Sequence, residues 1–231
     1  FSSKIITSSE NKYENLEPWI QWYSFYTEKS FKDHRVFHLG DAIKNNYPTF
    51  LEKYEKLGIF GSMNVPSLNN ASVFIPDAWS ELKTDNSISS KVVHSAMSQL
   101  VNDNSKLKVS LRSLIGLLLL VGVPTRLIEI KMIIKAFKSI IIKSRSELAS
   151  IFDYFFLNYS LNRITKKKLD FSLIFLNGFA HAQHHHLLDS EFIKAKNPSW
   201  YSQNIDHLKN SLKIYDVLFG NLIKKAIDDY D

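Results

Sequence analysis

Three short apolar runs limit what this chain can fold into: "IFGSMNV" (59–65), "VFIPDAW" (73–79) and "FSLIFL" (171–176). Each is too brief for a typical helix and is flanked by turn-forming or polar residues, so each reads as a strand, the second ended at Pro76. Helix-period segments lie between and around them. "EPWIQWYSFYTEKS" (17–30) reads as a helix with Pro18 in its first turn. "PTFLEKYEKLG" (48–58) places Phe50, Leu51, Tyr54 and Leu57 on one face, with Gly58 as its stop. From about residue 91 to 160 the pattern is helical almost throughout, and residues 204–231 close the chain as a long helix carrying Ile205, Leu208, Leu212, Tyr215, Leu218 and Leu222 at helical spacing. Strands alternating with helices predict an α/β fold, a mainly parallel sheet flanked by helices, in one domain over 1–231 with a helical insertion or cap at about 91–160.

Composition narrows the chemistry. There is no cysteine, which excludes disulfides, thiolate metal sites and thiol nucleophiles, and leaves His, Asp, Glu and Asn as metal ligands. The formal charge of +6 is local: between Lys106 and Arg145 nine Lys and Arg face a single acid, Glu129. The basicity therefore belongs to one segment and predicts no nucleic-acid partner. Helix 126–145 is instead a candidate for peripheral contact with a membrane surface or an anionic glycan. Within it Leu127, Ile130, Ile134, Phe137 and Ile141 share a face, while Lys131, Lys135 and Lys138 face away. The longest apolar run, "LIGLLLLVGV" (114–123), is half of the ~20 residues a spanning helix needs, so it reads as a buried helix. No signal or spanning segment is visible, and a cytoplasmic location is expected. A start at Phe1 rather than Met suggests a segment of a longer protein.

The densest chemistry lies in "FLNGFAHAQHHHLLDS" (175–190), which holds His181, His184, His185 and His186, half of the eight histidines. In open α/β sheets ligands gather at the carboxyl ends of strands, and this cluster follows a strand directly. Imidazole suits zinc or iron, and the Asn177 amide offers a further oxygen. Asp41 and Asp77 are secondary candidates, each also explained as a cap or turn residue.

A second stretch, "WYSFYTEKSFKDHRVF" (22–37), resembles the alkaline-phosphatase-like superfamily, in its nucleotide pyrophosphatase/phosphodiesterase-like (sulfatase-like) branch. That branch has the pattern W-x-S-F-x-T-G-K-x-P-x-x-H-G-[VI]-F. Trp22, Ser24, Phe25, Thr27, Lys29, His34, Val36 and Phe37 match it, Glu28 and Arg35 replace its two glycines, and Phe31 replaces its proline. The branch also carries P-D-x-x-G-H, whose Asp and His bind one of two zinc ions; "LNGFAH" sets Asn177 and His181 at those positions. The closing helix resembles Y-x-x-x-D-x-x-[LF]-G-x-L, with Asp216 and Gly220 in place and Tyr215 displaced. The resemblance implies an alkaline-phosphatase-like fold and metal-dependent hydrolysis or transfer of a small-molecule or glycan phosphate or sulfate ester. It implies zinc as cofactor, His181, Asn177 and His185 as ligands, and His184, His34 and Asp41 lining the site. The family's Thr or Ser nucleophile falls on Leu16, Glu17 or Pro18, none of which has a hydroxyl, so the catalytic nucleophile is not identified. Two alternatives stand beside this one. One is a non-catalytic relative that uses the same pocket for binding, favoured by Asn in place of Asp. The other is a di-iron hydroxylase or desaturase, whose H-x-x-x-H and H-x-x-H-H boxes would be His34–His38 and His181–His185.

Overall fold

A computed structural model describes residues 18–45, 47–102, 110–122, 126–141, 145–194, 196 and 206–230. The chain is α/β and divides into two compact units, residues 1–110 with 169–173 and residues 111–168 with 174–231. The helical stretch expected at 91–160 is thus shared between them. Residues Thr7 to Glu17, Ile205 and Asp231 lie outside the described residues.

The first unit is built on a three-stranded parallel sheet of order β2-β1-β3, from β1 (Leu57–Phe60), β2 (Ala71–Ile75) and β3 (Phe171–Ile174). β1 and β2 run parallel, with Ile59 opposite Phe74 and Phe60 opposite Ile75. Central β1 is buried along its whole length, whereas β3, at the edge, is half-buried rather than the fully buried strand its sequence predicts. Around the sheet lie α1 (Pro18–Thr27), the single turn α2 (Phe31–His34) and α3 (Ile88–Asn102), which packs on β2. Tyr23, Tyr26, Val36, Leu51, Leu57, Ile59 and Phe74 make up much of one core cluster.

The helix predicted at 48–58 is one 3₁₀ turn, Phe50–Lys53, followed by β1. Two competing interactions account for this. The carbonyls of Leu51 and Tyr54, which a continuing helix would give to later amides, accept from Asn70 Nδ2 at 3.0 and 2.6 Å. Gly58 is not a helix stop but a strand residue, where a Cβ would sit 2.6 Å from Leu169 Cδ1. β1 ends at Phe60, shorter than the predicted 59–65, because Gly61 turns the chain with φ 71°. Glu28 and Arg35, just past the ends of α1 and α2, both have φ 57°, the left-handed conformation that glycine adopts without strain.

The second unit is helical: α4 (Leu111–Val121), α5 (Leu127–Ile141), α6 (Arg145–Lys167), α7 (Gly178–His186), α8 (Glu191–Lys194) and α9 (His207–Tyr230). The long α6 is its centre and packs against α4, α5, α7 and α9. It buries Ile151, Tyr154, Phe155, Phe156 and Leu157, joined by Leu208, Ile214 and Leu218 of α9. Asp206 serves the starts of both α8 and α9: its carboxylate accepts from Glu191 N and from Lys209 N, each at 2.8 Å.

Two sequence expectations are inverted here. α4 was expected to be buried, yet it buries Gly116 and Leu120 and exposes Leu114, Ile115, Leu118 and Leu119. α5 likewise buries Met132 and Ser139 and turns Leu127, Ile130, Ile134 and Phe137 outward. For α5 the polar contact is with Glu147 of α6, a buried carboxylate that requires donors. Ser139 Oγ at 3.3 Å and Lys135 Nζ at 3.9 Å meet it from α5, so these two residues face inward while Lys131 and Lys138 stay exposed. Among the described residues no helix is long and apolar enough to cross a membrane.

Candidate functional site

The histidine cluster is not a loop. It lies on α7, separated from the end of β3 by three residues. Three groups fix the start of that helix. Asn177 occupies the N-cap position, but its side chain makes no capping bond. The capping acceptor comes from α6: the Asp153 carboxylate accepts from Gly178 N at 2.6 Å and from the Tyr215 hydroxyl. The Tyr215 oxygen in turn accepts from Phe179 N at 3.1 Å. Burial pushes the Asp153 carboxyl up to about 7, against the opposing effect of these hydrogen bonds. Burial and the neighbouring Asp153 also push the Tyr215 phenol up. Gly178 lets the two helices touch, since a Cβ there would lie 2.6 Å from the backbone of Ala149.

From this anchored start the imidazoles form a ladder. His181 and His185, one turn apart, have ring centroids 4.5 Å apart; His185 and His186 are 6.4 Å apart. His186 then meets His207 of α9 at 4.6 Å, and His207 Nδ1 lies 3.2 Å from Glu147 Oε1. Glu147 Oε1 also accepts from Asn210 Nδ2 at 2.9 Å. The ladder therefore runs from the half-buried His181 and exposed His185 to a buried carboxylate. Burial first, then His207 and His185, lower the pKa of His186, and its Nδ1 is a buried atom without a hydrogen-bond partner. A neutral His186 facing two other imidazoles is the expected state near pH 7.

The structure sorts the predicted residues. His181 and His185 come together. His184 is exposed on the same helix and makes none of the ring contacts of the ladder. Asn177 stands at the head of α7, its carbonyl accepting from His181 N at 2.9 Å. His34 and Asp41 belong to the other compact unit and do structural work there. His34 is buried; its Nδ1 accepts from Val36 N at 3.0 Å, which leaves Nε2 to donate to Ser24 Oγ at 2.8 Å. Asp41 accepts from His38 N at 2.9 Å at a 3₁₀ turn. Asp77, buried with Trp79 N donating to it at 3.0 Å, has its carboxyl pushed up by burial.

Sequence reading missed His207 and Glu147. No local signal joins them to the cluster, because they arrive from separate helices through packing on α6. The i, i+4 spacing of His181 and His185 was the one available signal. Two imidazoles so placed fit two corners of a tetrahedral zinc shell. Among the described residues no group of three or more His, Asp or Glu is placed to share one ion. Compared with family models, curated proteins and solved structures, the chain matches none.

Proposed function

We propose that this chain is part of a metal-dependent hydrolase or transferase acting on a phosphate or sulfate ester, with an alkaline-phosphatase-like fold. The observation that carries the reading is the His181–His185 pair, presented by a helix that follows a strand of a parallel sheet. A second observation supports it. Glu28 and Arg35 stand where the resembled pattern has glycine, and both adopt the left-handed conformation that would favour glycine there.

A divalent ion bound here would polarise an ester oxygen and acidify a water. His181 and His185 would hold it, with remaining positions open to water, substrate oxygen or the Asn177 carbonyl group of its side chain. Asp153 and Tyr215 fix the pitch and start of α7, and so the spacing of the two imidazoles. His186, whose cation is disfavoured by burial and by the neighbouring His207 and His185, adds no positive charge beside the ion.

The experiment is direct. Full-length protein is dialysed with zinc, its metal content is measured, and it is offered p-nitrophenyl phosphate, bis-p-nitrophenyl phosphate and p-nitrophenyl sulfate. Bound zinc with turnover of one of these esters, lost on chelation, supports the proposal. Protein that holds no metal and turns over none of them refutes it.

A second reading, a non-catalytic relative, is favoured by one observation. Asn177, neutral where the pattern has Asp, removes a negative charge from the ligand set. Zinc bound without turnover selects that reading. The di-iron alternative loses its first box, since both ring nitrogens of His34 are engaged in a buried network.

A further inference from the structure

We infer that the α4–α5 pair is a docking surface for an anionic lipid membrane, on which the two helices lie flat. The inference stands apart from the histidine chemistry and rests on which side of each helix faces out. Leu118 is 62 % exposed, Leu127 66 %, Ile134 50 % and Phe137 64 %. These are not scattered residues. Leu111, Leu114, Ile115, Leu118 and Leu119 share one face of α4, and Leu127, Ile130, Ile134 and Phe137 one face of α5. In both cases it is the face opposite the one packed on α6. Two helices consecutive in the chain thus each present an exposed apolar stripe, which isolated apolar side chains on a surface would not do.

Charge selects the occupant. Over residues 111–138 five Lys and Arg face one acid, Glu129, and Glu129 is itself paired with Arg126 at 3.6 Å. At about 100° per residue Lys131 and Lys138 fall along the border of the α5 stripe, and both are exposed. An outward apolar stripe edged by lysines is the signature of a helix seated at the headgroup boundary, its lysine stems reaching back toward lipid phosphates. A protein partner or a second copy would need acidic groups to meet this border, and this unit offers the same basic face to its own copy. The 11 residues of α4 span about 16 Å, roughly half the apolar thickness of a bilayer, so the pair rests on the surface rather than crossing it.

The test is sedimentation with vesicles of phosphatidylcholine alone or with 30% phosphatidylserine, a proportion on the order of that which gives a strong negative surface. The protein is expected to pellet with the anionic vesicles, less so in high salt, and little with the neutral ones. Lys131→Glu with Lys138→Glu is expected to weaken binding by roughly thirtyfold or more. Leu118→Ser with Phe137→Ser should abolish it at either salt concentration. All four positions are exposed, and a circular dichroism melt confirms that each variant is folded. Failure to bind anionic vesicles overturns the inference, as does binding unchanged by both variants. Self-association by light scattering, lost in Leu118→Ser with Phe137→Ser and without vesicle binding, overturns it in favour of a second copy.

Discussion

The Tyr215 hydroxyl donates to the buried Asp153 carboxylate and accepts from Phe179 N, so one tyrosine and one aspartate from different helices together begin a third. This pair has a pH signature. The Asp153 carboxyl is held at about 7 against an ordinary 3.8, so the folded state keeps a proton that the unfolded chain gives up. The stabilisation is fully present below about pH 4 and is lost as pH rises to about 7, levelling off above that. Its ceiling is on the order of 4 kcal/mol, at about 1.4 kcal/mol per pH unit. Urea melts of the parent and Asp153→Asn between pH 4 and 8 check it. The parent's stability is expected to fall relative to the variant across that window; parallel curves would remove Asp153 as the titrating group.

Tyr215→Phe leaves the Asp153 oxygen short of a donor and Phe179 N–H short of an acceptor, both inside the unit. A loss of about 2–3 kcal/mol is expected, since each group keeps its desolvation cost without compensation. Hydrogen exchange at the Phe179 amide should quicken by more than exchange at the far end of α7. Uniform quickening along α7 would point to general loosening instead.

Glycine contacts separate two kinds of close approach. A Cβ at Gly178 meets the carbonyl carbon, carbonyl oxygen and next amide nitrogen of Ala149–Ser150 at 2.6 to 2.7 Å, all backbone. A Cβ at Gly58 meets side-chain atoms of Leu169, Phe60 and Ser172 at 2.6 to 2.9 Å. Side chains shift more cheaply than helix backbone. Gly178→Ala should therefore cost about 3 kcal/mol and pry α7 from α6, and Gly58→Ala less. Thermal melts of the two variants decide the order; a milder effect at Gly178 contradicts the packing account.

What the sequence revealed, and what it hid, follows from the range of each interaction. The α/β class was legible because strand-length apolar runs and helix-period runs are local patterns. The helix at 48–58 was misread because Asn70, many residues away, takes the carbonyls that would continue it. The outward stripes of α4 and α5 were misread because apolar periodicity tells which residues share a face, not which face meets the core. On α5 the inward side carries Lys135 and Ser139, which meet the buried Glu147 carboxylate. At the site, His181 and His185 were legible through their spacing, whereas His207 and Glu147 came from distant sequence.

Glu28 and Arg35 give a prediction that needs no assay of function. Both hold φ 57° without being glycine, at a cost of about 1–2 kcal/mol each. Glu28→Gly and Arg35→Gly should each stabilise the fold by about 0.5–1 kcal/mol once the extra freedom of glycine in the unfolded chain is deducted. They lie at the ends of two helices that touch, so the double variant measures any coupling between them. Chemical denaturation of the two single variants and the double tests this, and a destabilised Arg35→Gly would show that the Arg side chain matters more than the backbone angle.

The histidine ladder separates its members by position. His181 and His185 face each other at 4.5 Å, while the neighbouring His184, of the same chemistry and on the same helix, stays outside the ladder. If the pair is the metal site, His181→Ala and His185→Ala should each weaken zinc binding by at least about tenfold, because one imidazole is half of the protein's share of the shell. His184→Ala should change it little. The three single variants, titrated with zinc by calorimetry at pH 7.5, provide the comparison. Imidazole proton shifts followed at the same time carry the second readout: His186 should titrate below its ordinary 6.5, since burial and two neighbouring imidazoles disfavour its cation. Equal losses in all three variants would mean that zinc is held by an exposed tract of histidines, not by a built pair, and the hydrolase reading would lose the observation that carries it.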